Sequence, residues 1–191
     1  SIRERTEYPD VEIVLVDHES TQPRARAVID ALAAAHALAS AEAAHLILTS
    51  DHPASFARGA SGPFRDAIRT GETAETLAFL LDGQRILHSL RADVLPVVCA
   101  VHGLAFSGAC EVALFANGLV VEETAPIGLK EIWMGFIPGW GGFTQLMLRH
   151  QIAGEDPLTA ARTALTLCAR GHIATGEDEA RATLLFRDRD G

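Results

Sequence analysis

Only three cysteines occur in this 191-residue chain, Cys99, Cys110 and Cys168, and none forms a CxxC pair. An odd count set in apolar stretches reads as free, buried thiols in a reducing compartment rather than a disulfide framework. Positive charge is also scarce: 16 Lys and Arg stand against 25 Asp and Glu, a formal net charge of -9. That balance argues against a nucleic-acid surface, which needs clustered cations to neutralise phosphates. No apolar run approaches the roughly 20 residues of a membrane span. The polar start from Ser1 to Asp10 carries no signal-peptide core, so a cytoplasmic protein is the expectation. The histidines show neither HExxH nor HxxxH spacing, and no metal site is expected; His102 reads as a packing residue. There is no internal repeat.

What is present suffices for one domain: 48% of the residues are hydrophobic, enough for a sizeable core. The run from Val11 to Val16 reads as a strand, Arg24 to Ala41 as an alanine-rich helix, and His45 to Thr49 as a short strand ended by the turn signal Ser50 to Pro53. Phe56 to Pro63 reads as a loop with two glycines and a proline. A long helix is expected from about Thr73 to Arg91, and Pro96 to His102 as a buried strand. A small-residue turn then leads into a helix from Gly108 to Asn117, with a further strand at Leu119 to Val121. Strands alternating with helices at this spacing predict an α/β domain with a largely parallel sheet.

The chemistry lies in two stretches. In Val101 to Glu111 a strand ends in small residues and a helix begins, presenting unpaired N–H groups and the positive end of a helix dipole. Such a terminus suits a carbonyl oxygen that becomes negative during reaction, and Glu111 lies one turn along. The second stretch, Ile127 to Gly142, adds Glu131 and the glycine-rich run from Pro138 to Gly142.

Taken together, these stretches resemble the signature of the crotonase (enoyl-CoA hydratase/isomerase) superfamily: a strand, a small-residue turn, a helix carrying Glu, and a second Glu twenty residues on ahead of IPG-x-GG. The FARGAS loop, Phe56 to Ser61, resembles the family's FxxGAD loop. The resemblance covers nearly the whole chain in order. It implies a crotonase fold of stacked ββα units, in one domain over residues 1–191 that lacks the usual C-terminal helices, with a single N-terminal strand where a hairpin is usual. It further implies an oxyanion hole built from the backbone N–H groups of Ala60 and Gly108, gripping an acyl-CoA thioester carbonyl. Glu111 would activate water for the β-carbon of a 2-enoyl-CoA and Glu131 would protonate the α-carbon, making the chain a hydratase. Arg58, Ser61, Trp133 and Phe136 are candidate substrate-binding residues. The implied cofactor list is empty, since coenzyme A comes with the substrate, and the implied assembly is a homotrimer or hexamer.

Several positions depart from the family pattern. Ser61 replaces the usual aspartate, Ala116 and Asn117 replace Cys-Asp, and Phe143 and Thr144 replace Thr-Gln. Lys130 replaces a proline before Glu131 and is expected to lower that carboxyl's pKa. Isomerisation, decarboxylation or thioester hydrolysis in the same site, and a non-catalytic assembly module, are the alternatives to hydration. The apolar surface around Ile132, Trp133, Phe136 and Trp140 is expected to be uncovered.

Overall fold

The computed structural model describes residues 4–5, 11–15, 26–42, 45–50, 52–57, 67–71, 73–188 and 190. Two sheets organise them. The first is built from β1 (Glu4–Arg5), β2 (Val11–Leu15), β3 (His45–Thr49), β5 (Val97–Val101) and β7 (Gly118–Val121), neighbours in that order. β2, β3, β5 and β7 run parallel, with Ile13 opposite Ile47, Leu48 opposite Cys99 and Cys99 opposite Leu119. The largely parallel sheet expected from the β/α alternation is therefore present. The expectation of a lone N-terminal strand is corrected: β1 pairs antiparallel with β2, Glu4 opposite Ile13. Two charged residues carry no apolar period, so nothing in the pattern announced β1.

The second sheet consists of β4 (Ser55–Ala57), β6 (Leu104–Phe106), β8 (Ile127–Gly128) and β9 (Ile173–Ala174), in that order. Its first three strands are parallel, and β9 pairs antiparallel with β8. The segment read as a loop from Phe56 thus begins in a strand.

Helices cover the sheets. α1 (Arg26–Glu42) buries Ile29, Leu32, Ala35 and Ala39, a helical spacing that explains why its alanine-rich face packs. α2 (Thr73–Ala92) buries Phe79, Gly83, Ile86, Leu87 and Leu90. α3 (Gly108–Phe115) is buried on every side and ends two residues earlier than expected. α4 (Gly142–Ile152) and α5 (Pro157–Arg170) follow. The Asp156 side chain caps α5, accepting from the N–H groups of Leu158 and Thr159, with Pro157 in the first turn and Gly171 left-handed at the exit. α6 (Glu177–Ala182) is a short helix of six residues. The chain leaves it at Leu184 (φ 54°), and Leu185 and Phe186 turn into the core. The buried Arg149 guanidinium fastens that segment by donating to the carbonyls of Leu184, Leu185 and Leu114. Cys99, Cys110 and Cys168 are all buried and free, as expected.

Candidate active site

The second sheet positions the site. β6 and β8 are parallel neighbours with Phe106 opposite Gly128, so Ser107-Gly108 and Leu129 to Glu131 begin side by side. The Ser107 N–H donates to the Gly128 carbonyl at 2.9 Å, which holds the two turns together. β4 runs parallel to β6 as well, so its C-terminal end lies at the same edge of the sheet. Arg58, Ala60 and Ser61, the residues singled out in the loop beyond β4, lie outside the described residues.

Ser107 is the N-cap of α3 but makes no side-chain capping hydrogen bond. The first N–H groups of a helix have no intrahelical partner, and Ser107 and Gly108, at the start of α3, line a cleft. Ser107, Gly108, Glu111 and Glu131 form its polar wall, and Phe79, Leu80, Met134, Phe136, Ile137 and Trp140 its apolar wall. The cleft holds about 360 Å³, counting the space at its open mouth. The structure thus brings together Gly108, Glu111, Glu131 and Phe136 from the sequence-derived candidates. Trp133 stands elsewhere: it is 64% exposed, and its indole N–H donates to the Arg170 carbonyl at the end of α5.

Both glutamates are only 3% exposed. Glu111 Oε1 accepts from the backbone N–H groups of Trp140 (2.8 Å) and Gly142 (2.9 Å). Burial pushes its pKa up to about 7, against the opposing pull of those N–H groups. Glu131 starts a 3-10 turn (Glu131–Met134), and its Oε2 is buried with no hydrogen-bond partner among the described residues. Burial first, and the negative charge of Glu111 second, push its pKa up to about 8. Lys130 pulls the other way, as expected from the sequence, but is outweighed. Its ammonium lies 3.9 Å from the centroid of the Phe106 ring. Two buried carboxyls whose pKa values are raised and coupled can divide one proton between them near neutrality, which is what an acid and a base in one cleft require.

Sequence reasoning missed Phe79 and Leu80, which reach the cleft from α2, and Ser107, which looked like one more small residue in the turn. The Trp140 indole packs against Phe79, with ring centroids 5.2 Å apart, and lies over Gly108 and Gly83. A Cβ at Gly83 would fall 2.1 Å from the indole nitrogen and one at Gly108 would fall 2.9 Å from the ring, so both positions must stay bare. Gln84 ties α2 to the same segment through the Gly139 carbonyl at 2.7 Å. Cys110, beside Glu111, is turned into the core, and burial pushes its thiol well above the ordinary range. His102 bonds the carbonyl of His52 at 2.7 Å, which agrees with its reading as a packing residue.

The family model described as enoyl-CoA hydratase/isomerase matches residues 25–170. A curated relative, "Probable 3-hydroxyacyl-CoA dehydrogenase" of Bacillus subtilis, is 30% identical over 107 residues, 56% of this chain and 14% of that protein. Among solved structures, an enoyl-CoA hydratase from Bacillus anthracis superposes with a TM-score of 0.76 at 22% identity, covering 95% of this chain and 66% of that one. An enoyl-CoA hydratase from Thermoplasma volcanium superposes with a TM-score of 0.77 at 22% identity, covering 98% and 70%. These superpositions establish the crotonase fold. The chain spans about a seventh of that curated relative and just under two thirds of the Bacillus anthracis chain.

Proposed function

This chain belongs to the enoyl-CoA hydratase/isomerase family, and from that premise we propose that it binds an acyl-CoA thioester and adds water to a 2-enoyl-CoA. The observation that carries the reading is the convergence of Glu111, Glu131 and the Gly108 turn on one largely apolar cleft. In this reading the thioester carbonyl oxygen accepts from the Gly108 N–H, with the Ala60 N–H as second donor, and the enolate charge is held there as the α-carbon changes. A donor of this kind is typically worth about 2.7–4 kcal/mol of barrier. Glu111, held by the N–H groups of Trp140 and Gly142, is the base that takes a proton from the attacking water. Glu131, whose protonated form is favoured by burial and by the charge of Glu111, is the acid that delivers a proton to the α-carbon. The apolar wall receives the acyl chain and keeps bulk water from the enolate.

We further propose that copies of the chain assemble into a trimer or hexamer. The buried free thiols suit a reducing compartment, and we assign the reaction to the cytoplasm. Among the described residues no helix is long and apolar enough to cross a membrane.

The test is hydration of a panel of 2-enoyl-CoA thioesters by the purified chain and by Glu111→Gln and Glu131→Gln. Each variant should fold, and each should lose about 10²–10⁴-fold in kcat. Near-full activity in both would end the two-glutamate mechanism.

A further inference from the structure

Two N–H groups meet Glu111 Oε1, that of Trp140 at 2.8 Å and that of Gly142 at 2.9 Å. They are held in place by different means. Gly142 begins α4, so the helix sets the direction of its N–H. Trp140 lies between the 3-10 turn at Glu131–Met134 and α4, where the chain is neither helix nor strand. No ladder or helical turn fixes which way a peptide group points in such a segment. Something else must keep the Trp140 N–H on the carboxylate.

α2 supplies the support. Phe79 packs on the Trp140 indole, Gly83 leaves room for it, and a Cβ on Gly139 would fall 2.5 Å from Leu80 Cδ2. These apolar contacts restrain where the segment sits, but not how its peptide groups are turned. Gln84 adds direction, because its Nε2 donates to the Gly139 carbonyl at 2.7 Å. That carbonyl and the Trp140 N–H are the two ends of one trans peptide group and point opposite ways. Gln84 and Glu111 therefore hold the same peptide plane from its two sides. A donor on the carbonyl also polarises the amide and strengthens its N–H. Glycine on one flank leaves the plane free to turn over once the carbonyl loses its partner. Turned over, it would present oxygen to the carboxylate in place of N–H. We propose that Gln84 is a positioning residue for Glu111, fixing the peptide between Gly139 and Trp140 so that its N–H stays on the carboxylate.

The catalytic consequence rests on the reading of Glu111 as the base for water; the peptide link does not. Gln84 is uncharged and is not among the residues that line the cleft, so it reaches the carboxyl only through the peptide. Glu131 faces Glu111 in the cleft, and Cys110 on α3 and Cys168 on α5 lie within reach of its charge. Lys130 and Arg149 act in turn on Glu131 and Cys110, and His88 of α2 packs on Phe115, one turn further along α3. Replacing Gln84 alters the charge of none of these groups. An N–H donor favours the ionised carboxyl and so opposes the rise that burial imposes on Glu111. With the Trp140 N–H loosened, burial is less opposed and the carboxyl keeps its proton to higher pH. A base that works only when ionised then needs a higher pH.

The experiment uses the purified chain labelled with carbon-13 at the glutamate carboxyl carbons. The Glu111 resonance, identified by its loss in Glu111→Gln, is titrated in the wild type, Gln84→Met and Gln84→Leu. Neither replacement can donate; Met keeps the length of Gln and Leu does not, so a shift common to both follows the missing donor. We expect the Glu111 midpoint to rise by about one pH unit in each, the scale of one hydrogen bond to a charged group. With a 2-enoyl-CoA as substrate, the acid limb of the kcat/KM profile should move up by the same amount while KM stays near the wild-type value. A Glu111 midpoint that stays in place in both variants overturns the proposal, whatever the activity. If the midpoint moves and the wild-type chain hydrates no 2-enoyl-CoA, the peptide link stands and the hydration reading falls. If the midpoint moves and the acid limb does not, the link stands and Glu111 is not the base.

Discussion

The Gly142 N–H donates to Glu111 Oε1 at 2.9 Å, and a Cβ placed on Gly142 would fall 2.9 Å from Glu111 Cγ. Glycine at 142 is therefore what lets the first turn of α4 approach the carboxylate closely enough to bond it. The same added Cβ would also stand 3.0 Å from both methyls of Leu129, so the new methyl has no direction in which to settle. Gly142→Ala should push Glu111 off its two N–H donors. We expect a stability loss of about 1–3 kcal/mol from overpacking and a fall in hydratase kcat larger than any change in KM. A thermal melt and steady-state kinetics on a 2-enoyl-CoA check both. A variant that melts and turns over like the wild type would show that this contact positions nothing.

Lys130 offers a sharper electrostatic test. Its ammonium lies over the Phe106 ring and 5.7 Å from the Trp133 ring centroid, an arrangement that holds a cation by the ring faces beside Glu131. Its charge lowers the Glu131 pKa, while burial and Glu111 raise it by more. Removing the cation in Lys130→Met should raise that pKa further, so the alkaline limb of the hydration pH–rate profile should move to higher pH. Lys130→Arg, which keeps the charge, should leave the limb near its wild-type position. An alkaline limb that moves down in Lys130→Met would contradict the assignment of Glu131 as the proton donor.

How far the sequence disclosed this arrangement depends on the length of each signal. α1, α2 and α5 run for many turns, and α5 carries its own punctuation in Asp156-Pro157 and Gly171, so their periods and ends were readable. The second sheet was not, because β4, β6, β8 and β9 are two or three residues long and a period of two cannot show itself in so few positions. Glu111 and Glu131 stood out through their motif, since each is a charged residue in an apolar, glycine-rich setting. Phe79 and Leu80 could not be linked to them, because periodicity identifies the buried face of α2 without saying what it packs against. Trp140 was expected among uncovered apolar residues; it is buried, because Gly83 and Gly108 leave room for its indole between α2 and α3.

Three apolar side chains of the turn that follows Lys130 are open to solvent. Ile132, Trp133 and Ile137 are 40%, 64% and 70% exposed, in the segment that carries Glu131. Apolar groups clustered at one place on a surface mark contacts with partners, and we place the proposed subunit contact there, in a ring closed by rotational symmetry. Light scattering and sedimentation at low micromolar concentration should report a trimer or a multiple of it. Trp133→Glu combined with Ile137→Glu should shift the chain towards monomer without lowering its helix content. A wild-type chain that stays monomeric would remove this face from the assembly.

Stability should depend on pH in a direction unusual for carboxyl groups. Glu111 and Glu131 carry pKa values of about 7 and about 8 in the folded chain, against 4.5 as the ordinary value. Between pH 4.5 and 8 the folded state therefore holds more protons than the unfolded state, and unfolding releases them. The slope of the unfolding free energy with pH is then negative, so stability falls as pH rises. The contribution of this pair is complete below the unfolded pKa and is lost as pH passes through the folded values. The reason is the cost of keeping a charge in a cleft with few donors: the Glu131 Oε2 has none among the described residues. Melting temperatures from pH 5.5 to 8.5 should decline in the wild type, and the decline should be shallower in Glu131→Gln, which keeps the shape of the side chain and cannot ionise. Each pKa unit corresponds to about 1.4 kcal/mol, so the two curves should separate most at the alkaline end, with the variant the more stable there. Parallel curves would mean that Glu131 ionises as readily in the folded chain as in the unfolded one, and its role as the proton donor would lose its physical basis.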